Sequence, residues 1–231
     1  SWKRTLEELN VKYPGCANFA YKSSGSIFFG STPEVLIKFK ENKFSTEALA
    51  GSIKRGSSIN DDKMLETELL NSNKNINEHK SVVNFISSAL NEFSEDITFT
   101  DSPVVKKLPN IQHLQTSITG TLKPNINMLH VMRSLFPTPA VCGIPKDKSL
   151  KLIEETETFD RGLFSGIIGW FNTDGYGEFF VSIRSALVND KKLYAYAGCG
   201  IVDGSDPVEE FEETNLKLNP ILSLFNNADK N

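Results

Sequence analysis

A stretch near the carboxyl end, AGCGIVDGSDPVEEFEETNLK (197–217), holds the residues best suited to chemistry. Its glycine-rich turn leads into Asp206-Pro207, which predicts a helix start, because aspartate caps the first amides and proline there has no N–H to leave unpaired. On that helix Glu210, Glu213 and Lys217 share one face, since they lie at i, i+3 and i+7. Two carboxylates and an ammonium beside a glycine backbone suit a metal ion and an anion. Taken alone, the stretch is better explained as a loop and a solvated acidic helix than as a metal and anion site.

Other candidate positions are scattered, and each has a simpler structural explanation. The small residues of Ala48–Ser52 would let a ligand approach the backbone, but a tightly packed strand has the same composition. Glu78-His79 could supply a ligand or a base, although a surface ion pair is commoner. His113 opens a predicted strand, and a lone histidine is more often structural than catalytic. Arg184 interrupts an apolar predicted strand, which suits a buried carboxylate; packing over a sheet edge is the alternative.

Composition limits the class of protein. The chain has 231 residues, 39% of them hydrophobic and 23% charged, as in an ordinary globular protein. The formal charge is −4 and no run of Lys and Arg residues is present, which argues against nucleic-acid binding. No apolar run is long enough to span a membrane. Cys16, Cys142 and Cys199 are scattered and odd in number, which favours a reducing compartment over a disulfide framework. We therefore expect a soluble, cytoplasmic protein, monomeric, with a small-molecule substrate and neither nucleic-acid nor membrane partners.

Periodicity and turn residues predict mixed helices and strands without repeats or linkers, hence one cooperative unit. Helices are predicted over 5–13, 58–93 with a break in the Asn-rich segment 71–77, 126–135, 147–158 and from 207 onwards. Strands are predicted over 18–22, 26–30, 35–40, 43–47, 97–100, 104–107, 114–121, 167–171, 177–187 and 192–198.

Seven stretches along nearly the whole chain resemble the chorismate-utilising enzymes. They are STPE (31–34), TEALAGSIKRG (46–56), NEHKSVV (77–83), FPTPAVCGIPK (136–146), DRGLFSGIIGW (160–170), FFVSIRSA (179–186) and YAGCGIVDGSDPVEEFEETNLK (196–217). Their order and spacing make the resemblance specific. Within the family, the PTPA run at 137–140 and GIIGW at 166–170 resemble the isochorismate synthase branch. Ala50 stands where aminodeoxychorismate synthases have a nucleophilic lysine, and Ser52 replaces a more usual threonine.

The resemblance implies an α+β fold, in which two antiparallel sheets pack face to face with helices outside and the active site lies between them. It implies one chorismate-binding catalytic domain over 1–231, N-terminally incomplete and forming the carboxyl-terminal part of a longer enzyme. The implied reaction is Mg²⁺-dependent: water adds at C2 of chorismate and the C4 hydroxyl leaves. Salicylate synthase, anthranilate synthase and a non-catalytic chorismate-binding fragment are the alternatives, and menaquinone, siderophore and salicylate supply all remain open as pathways.

The resemblance also implies a role for each candidate residue. Glu34 would be the general acid, with His113 near the leaving oxygen as a second catalytic residue. Glu78 and Glu213 would hold Mg²⁺, with Glu210 assisting directly or through water. The implied substrate-binding residues are Gly51, Ser52 and Lys217 for the ring carboxylate, Arg184 and Gly198 for the enolpyruvyl carboxylate, and Thr138 and Ala140 for the pocket wall.

One implied residue has no counterpart in the sequence. In the family the water-activating base is a lysine on a strand that precedes the first helix of this chain, and Lys3, Lys12 and Lys22 do not match that motif. We therefore expect the chain by itself to bind chorismate and Mg²⁺ weakly and to turn over poorly.

Overall fold

The structure is a computed structural model that describes residues 1–225; residues 226–231 of the predicted domain lie outside the described part. The helices are α1 (Trp2–Lys12), α2 (Ile59–Asn71), α3 (Asn73–Asn91), α4 (Met128–Leu135), α5 (Pro139–Cys142), α6 (Lys146–Thr156) and α7 (Pro207–Leu222). The strands are β1 (Ala17–Ser23), β2 (Ser26–Thr32), β3 (Val35–Lys40), β4 (Lys43–Lys54), β5 (Ser94–Phe99), β6 (Val104–Lys107), β7 (Ile111–Leu122), β8 (Ile167–Phe171), β9 (Tyr176–Val181), β10 (Ser185–Asn189) and β11 (Lys192–Tyr196).

These strands form two antiparallel sheets, as the α+β prediction requires. The smaller sheet has the order β1-β2-β10-β11. The larger has the order β5-β7-β4-β3-β9-β8, and β6 pairs with β7 beside β5. Every strand pairing is antiparallel. The predicted fold class is confirmed.

The two sheets are joined at one corner, where two neighbouring strands both pass from one sheet into the other. The chain leaves β2 for β3, and on its return leaves β9 for β10. At the crossing the Thr32 hydroxyl donates to the Val181 carbonyl over 2.6 Å, and the Ser31 N–H donates to the Arg184 carbonyl over 3.1 Å. One side-chain and one backbone hydrogen bond therefore fix the two crossing segments to each other.

The prediction of one continuous strand over 177–187 is wrong, because the chain bends at this corner. The strand ends at Val181 and a new one begins at Ser185 in the other sheet. Arg184 has φ of 50°, a left-handed conformation that an extended strand does not contain. The arginine thus lies at the bend between two strands.

Helices cover each sheet and give it its own apolar core. The larger core joins residues of β3, β4, β7 and β9 to α3 and α4, for example Ile37, Ile118 and Val82. The smaller core joins Phe29 of β2 to Leu9 of α1 and to Ile221 of α7. Within residues 1–225, no helix is both long and apolar enough to cross a membrane.

Capping residues define the helices that carry candidate site residues. The break predicted in the Asn-rich segment is confirmed: α2 ends at Asn71, and the Ser72 hydroxyl accepts from the Asn75 N–H to begin α3. The Asp206 carboxylate accepts from the N–H groups of Val208 and Glu209 and begins α7, as predicted. Glu210, Glu213 and Lys217 consequently share a face of α7.

Candidate active site

The turn between β2 and β3 places the Glu34 carboxyl in the interior. Only 8% of the residue is exposed, and the Thr138 hydroxyl donates to its Oε1 over 3.2 Å. Thr138 precedes α5 but makes no side-chain cap bond there, so its hydroxyl serves Glu34 instead. Burial raises the pKa of Glu34 to about 7, against the lowering effects of Thr138, Lys217 and Arg184. At neutral pH a large fraction of this carboxyl keeps its proton.

Arg184 lies across the sheet corner from Glu34 and is 3% exposed. Its Nη2 is bonded to His113 Nε2 over 2.7 Å. In the described part of the chain, the buried Nε and Nη1 have no hydrogen-bond partner. Buried guanidinium N–H groups without a partner are costly, and a bound carboxylate would satisfy them.

His113 connects Arg184 to the bulged part of β4. Its Nδ1 lies 2.9 Å from the Ser52 hydroxyl. Burial lowers the pKa of His113 well below its ordinary value, and the charges of Arg184 and Lys217 lower it further. The imidazole is therefore neutral at physiological pH.

Gly51 forms a β-bulge in β4, with φ of 76°, and shifts the register against β7. The Ala48–Ser52 stretch is thus a packed strand with one irregular residue beside the site. The Ser52 N–H donates to Asn75 Oδ1 over 3.1 Å. In this structure the Ser52 amide is already paired, and its contact with the ring carboxylate stays a prediction.

The acidic face of α7 meets α3. The Lys217 ammonium donates to Glu213 Oε1 over 2.6 Å and to the Gly198 carbonyl over 3.1 Å, which leaves one of its three donors for an anion. Burial raises the pKa of Glu78 on α3; Lys217 opposes that effect and the negative charge of Glu213 adds to it. These charges lie close enough to act on one another.

Glu210 is buried and already has cationic and hydroxyl partners. Lys74 Nζ and Ser205 Oγ each donate to its Oε1 over 2.7 Å. Burial alone would raise the pKa of Glu210, but the hydrogen bonds from Lys74 and Ser205 hold it below its ordinary value. In this arrangement Glu210 joins α7 to α3, and its Oε1 is not available to a metal.

No group of three or more His, Cys, Asp or Glu residues forms a metal cage in residues 1–225. Mg²⁺ does not require three protein ligands, since one or two carboxylates with water and substrate oxygens are its usual ligands. Glu78 and Glu213 can supply such ligands, Glu213 through Oε2 because its Oε1 accepts from Lys217. Their mutual repulsion also favours a cation nearby. The donor set thus suits a magnesium ion.

The remaining predicted residues are accessible to solvent. Ala140, on α5, and Gly198, after β11, are both exposed. The Gly198 carbonyl accepts from Lys217, so it is an acceptor that orients the ammonium.

The surface ion pair considered for Glu78-His79 is wrong. His79 is 2% exposed, and its ring bonds the Ala50 carbonyl over 3.2 Å and the Thr116 hydroxyl over 2.7 Å. It is a structural histidine that attaches α3 to the larger sheet.

Two lysines beside the site were missed from the sequence. Lys74 lies in the Asn-rich segment, where no pattern marks it, and it pairs with a residue 136 positions away. Lys106 pairs with Glu47 over 2.5 Å, and its Nζ lies 3.4 Å from the Pro33 carbonyl next to Glu34. The register places Lys106 opposite His113, a signal that strand pairing could have supplied.

Comparisons with known proteins identify the family of the chain. The family model described as "Chorismate binding enzyme" matches residues 1–226, so the chain belongs to that family. The isochorismate synthase MenF of Bacillus subtilis is 40% identical over 96% of this chain and 46% of its own length. The salicylate biosynthesis isochorismate synthase of Pseudomonas aeruginosa is 38% identical over 98% of this chain and 48% of its own.

A solved structure shares the fold closely. It is assigned to DhbC of Bacillus anthracis, a 2,3-dihydroxybenzoate-specific isochorismate synthase. It superposes with a TM-score of 0.92 at 33% identity, over 96% of this chain and 61% of its own. The chain thus spans about half the length of the curated relatives it matches.

Proposed function

We propose that the protein containing this chain is an isochorismate synthase that converts chorismate to isochorismate. The observation that carries the proposal is that one site contains a buried, partly protonated Glu34 and a buried Arg184 whose Nε and Nη1 have no partner among residues 1–225. An acid of this kind suits departure of a hydroxyl, and the arginine suits a substrate carboxylate. The names of the relatives support the same reaction.

The cations of the site match the two carboxylates of chorismate. Arg184 would receive the enolpyruvyl carboxylate through Nε and Nη1. Lys217, which keeps one donor beyond Glu213 and Gly198, would receive the ring carboxylate. Arg184 is buried and Lys217 is partly buried, so solvent weakens their attraction for an anion less than it would at a fully exposed site.

Glu34 would protonate the C4 oxygen as the hydroxyl leaves as water. Meanwhile a second water adds at C2 and gives a proton to a base, so atoms and charge balance. A carboxyl with a pKa of about 7 is close to the optimum for an acid working near neutral pH.

We further propose that Glu78 and Glu213 hold Mg²⁺. When bound, the ion would neutralise part of the charge of the ring carboxylate. Glu210 would support this pair indirectly, because its contacts with Lys74 and Ser205 fix α7 against α3.

Product analysis by NMR tests the function. The full natural protein is incubated with chorismate and Mg²⁺, and we expect isochorismate. The Glu34→Gln variant should lose activity by a factor on the order of 10² to 10⁴, whereas Glu7→Gln on the exposed face of α1 should not change it. Salicylate with pyruvate, or an ammonia-dependent anthranilate product, would contradict the assignment.

The same assay with residues 1–231 alone tests the expected upstream base. Little or no turnover by the short chain agrees with a base supplied from outside it. Normal turnover by the short chain would show that one of its own groups takes the proton from water.

A further inference from the structure

We propose that His113 is a positioning residue: it accepts a hydrogen bond from Arg184, donates one to Ser52, and so fixes the guanidinium that receives a substrate carboxylate. In this role it gives no proton to the leaving hydroxyl. The inference rests on the proposed function only for the identity of the carboxylate. The hydrogen-bonded chain itself is independent of the reaction.

The direction of each bond follows from the chemistry of the partners. An arginine has donors only, so His113 Nε2, 2.7 Å from Arg184 Nη2, must be the acceptor and carry no proton. A neutral imidazole then has its proton on Nδ1. That proton points to the Ser52 hydroxyl oxygen, 2.9 Å away. The ring is thereby restricted to one tautomer and both nitrogens are occupied.

Ser52 is itself held in place from the start of α3. Its N–H donates to Asn75 Oδ1, and Asn75 Nδ2 donates in turn to the Ser72 hydroxyl over 2.9 Å. The Gly51 bulge brings the backbone so close to Asn75 that a Cβ at Gly51 would lie 3.0 Å from the Asn75 carbonyl oxygen. A continuous chain of contacts thus runs from α3 through β4 and β7 to the sheet corner.

Arg184 depends on this support because little else orients its charged end. In the part of the chain that the structure describes, the bond to His113 is its one side-chain hydrogen bond, and Nε and Nη1 remain buried without partners. A long side chain retains rotational freedom unless a bond fixes it, and that freedom must be lost when a ligand binds. A guanidinium held in advance binds a carboxylate more tightly.

A protonated His113 would conflict with its surroundings. Arg184 faces it directly, Lys106 lies opposite it on β6, and the charge of Lys217 also acts on it. Among residues 1–225, no carboxylate is bonded to the ring. Three nearby cations, with no anion bonded to the ring in that part of the chain, favour an imidazole that accepts over one that donates a proton to substrate.

Two matched substitutions in the full natural protein separate the roles. His113→Leu removes the acceptor, and the KM for chorismate should rise about tenfold or more, the effect of losing a hydrogen bond to a charged group. His113→Gln keeps an acceptor oxygen and should restore most of the affinity. If His113 were a proton donor, both variants would instead lose kcat alike with KM little changed, and that result would overturn the proposal.

Nitrogen NMR of the labelled wild-type protein tests the tautomer without any reaction. We expect His113 protonated on Nδ1 and not on Nε2; an imidazolium or the opposite tautomer would contradict the proposal. Ser52→Thr should preserve the signal, and Ser52→Ala should shift it. If the wild type forms no isochorismate while the tautomer is as expected, the proposed function fails and the positioning role stands.

Discussion

At the scale of single residues, the site depends on burial opposed by a few polar contacts. Glu34 shows the balance most directly. Loss of water raises its pKa, while Thr138, Lys217 and Arg184 each favour the ionised form. The proton that the proposed reaction requires is therefore retained because of the surroundings of the carboxyl, and small changes there should alter the pH profile.

Thr138→Val should raise the pKa of Glu34 above its value of about 7, because the hydroxyl that stabilises the carboxylate is lost. An acid works while protonated, so the decline of kcat/KM on the alkaline side should move to higher pH. Measuring kcat/KM against pH with the full protein checks this shift. Thr138→Ser keeps the hydroxyl and should leave the profile near that of the wild type; an unchanged profile in Thr138→Val would argue against Glu34 as the acid.

At the scale of elements, irregular positions bring the side chains to the site. The bulge of β4 at Gly51 and the bend before β10 at Arg184 both have positive φ. Each interrupts a strand where it approaches the site. These irregularities have a cost in regular pairing and leave side chains directed differently from those of a continuous strand.

Gly51→Ala and Gly25→Ala form a matched pair that tests the bulge. Both glycines have positive φ, but a Cβ at Gly25 meets open space, whereas one at Gly51 meets Asn75. Each substitution should lower the free energy of unfolding by about 1–2 kcal/mol through backbone strain. Only Gly51→Ala should also raise the KM for chorismate. Equal kinetics in the two variants would indicate that the bulge is purely structural.

Most elements could be predicted from the sequence, because their signals are local. The helix start at Asp206 follows from capping chemistry, the break between α2 and α3 follows from the asparagine-rich segment, and strand β7 follows from its alternation. The bend at Arg184 could not, since the apolar pattern continues through it and a left-handed arginine has no sequence signature. Lys74 and Lys106 were missed because their partners, Glu210 and Glu47, are distant in sequence. The residues of the site were identified through the resemblance to the family more than through periodicity.

At the scale of the whole molecule, the candidate metal ligands lie on two helices that cover different parts of the fold. Glu78 belongs to α3, which packs on the larger sheet, and Glu213 belongs to α7, which packs on the smaller one. A cation shared by both carboxylates would attach these two parts to each other.

Mg²⁺ should therefore stabilise the full protein against unfolding. By mass action, the midpoint of thermal unfolding should rise with Mg²⁺ concentration above the dissociation constant. Glu78→Gln and Glu213→Gln should each reduce that rise, whereas Glu212→Gln, an exposed residue of the same helix, should not. Calorimetry with and without Mg²⁺ provides the comparison, and an equal rise in all the variants would place the ion elsewhere.

The corner shared by the two sheets has a consequence for evolution. Glu34 and Arg184 are carried by adjacent segments bonded through Thr32 with Val181 and through Ser31 with Arg184, so their separation is independent of the covering helices. Substitutions at exposed positions of α1 and α4 leave these bonds in place. The exterior of the fold can therefore diverge while the corner that carries the acid and the arginine keeps its connections.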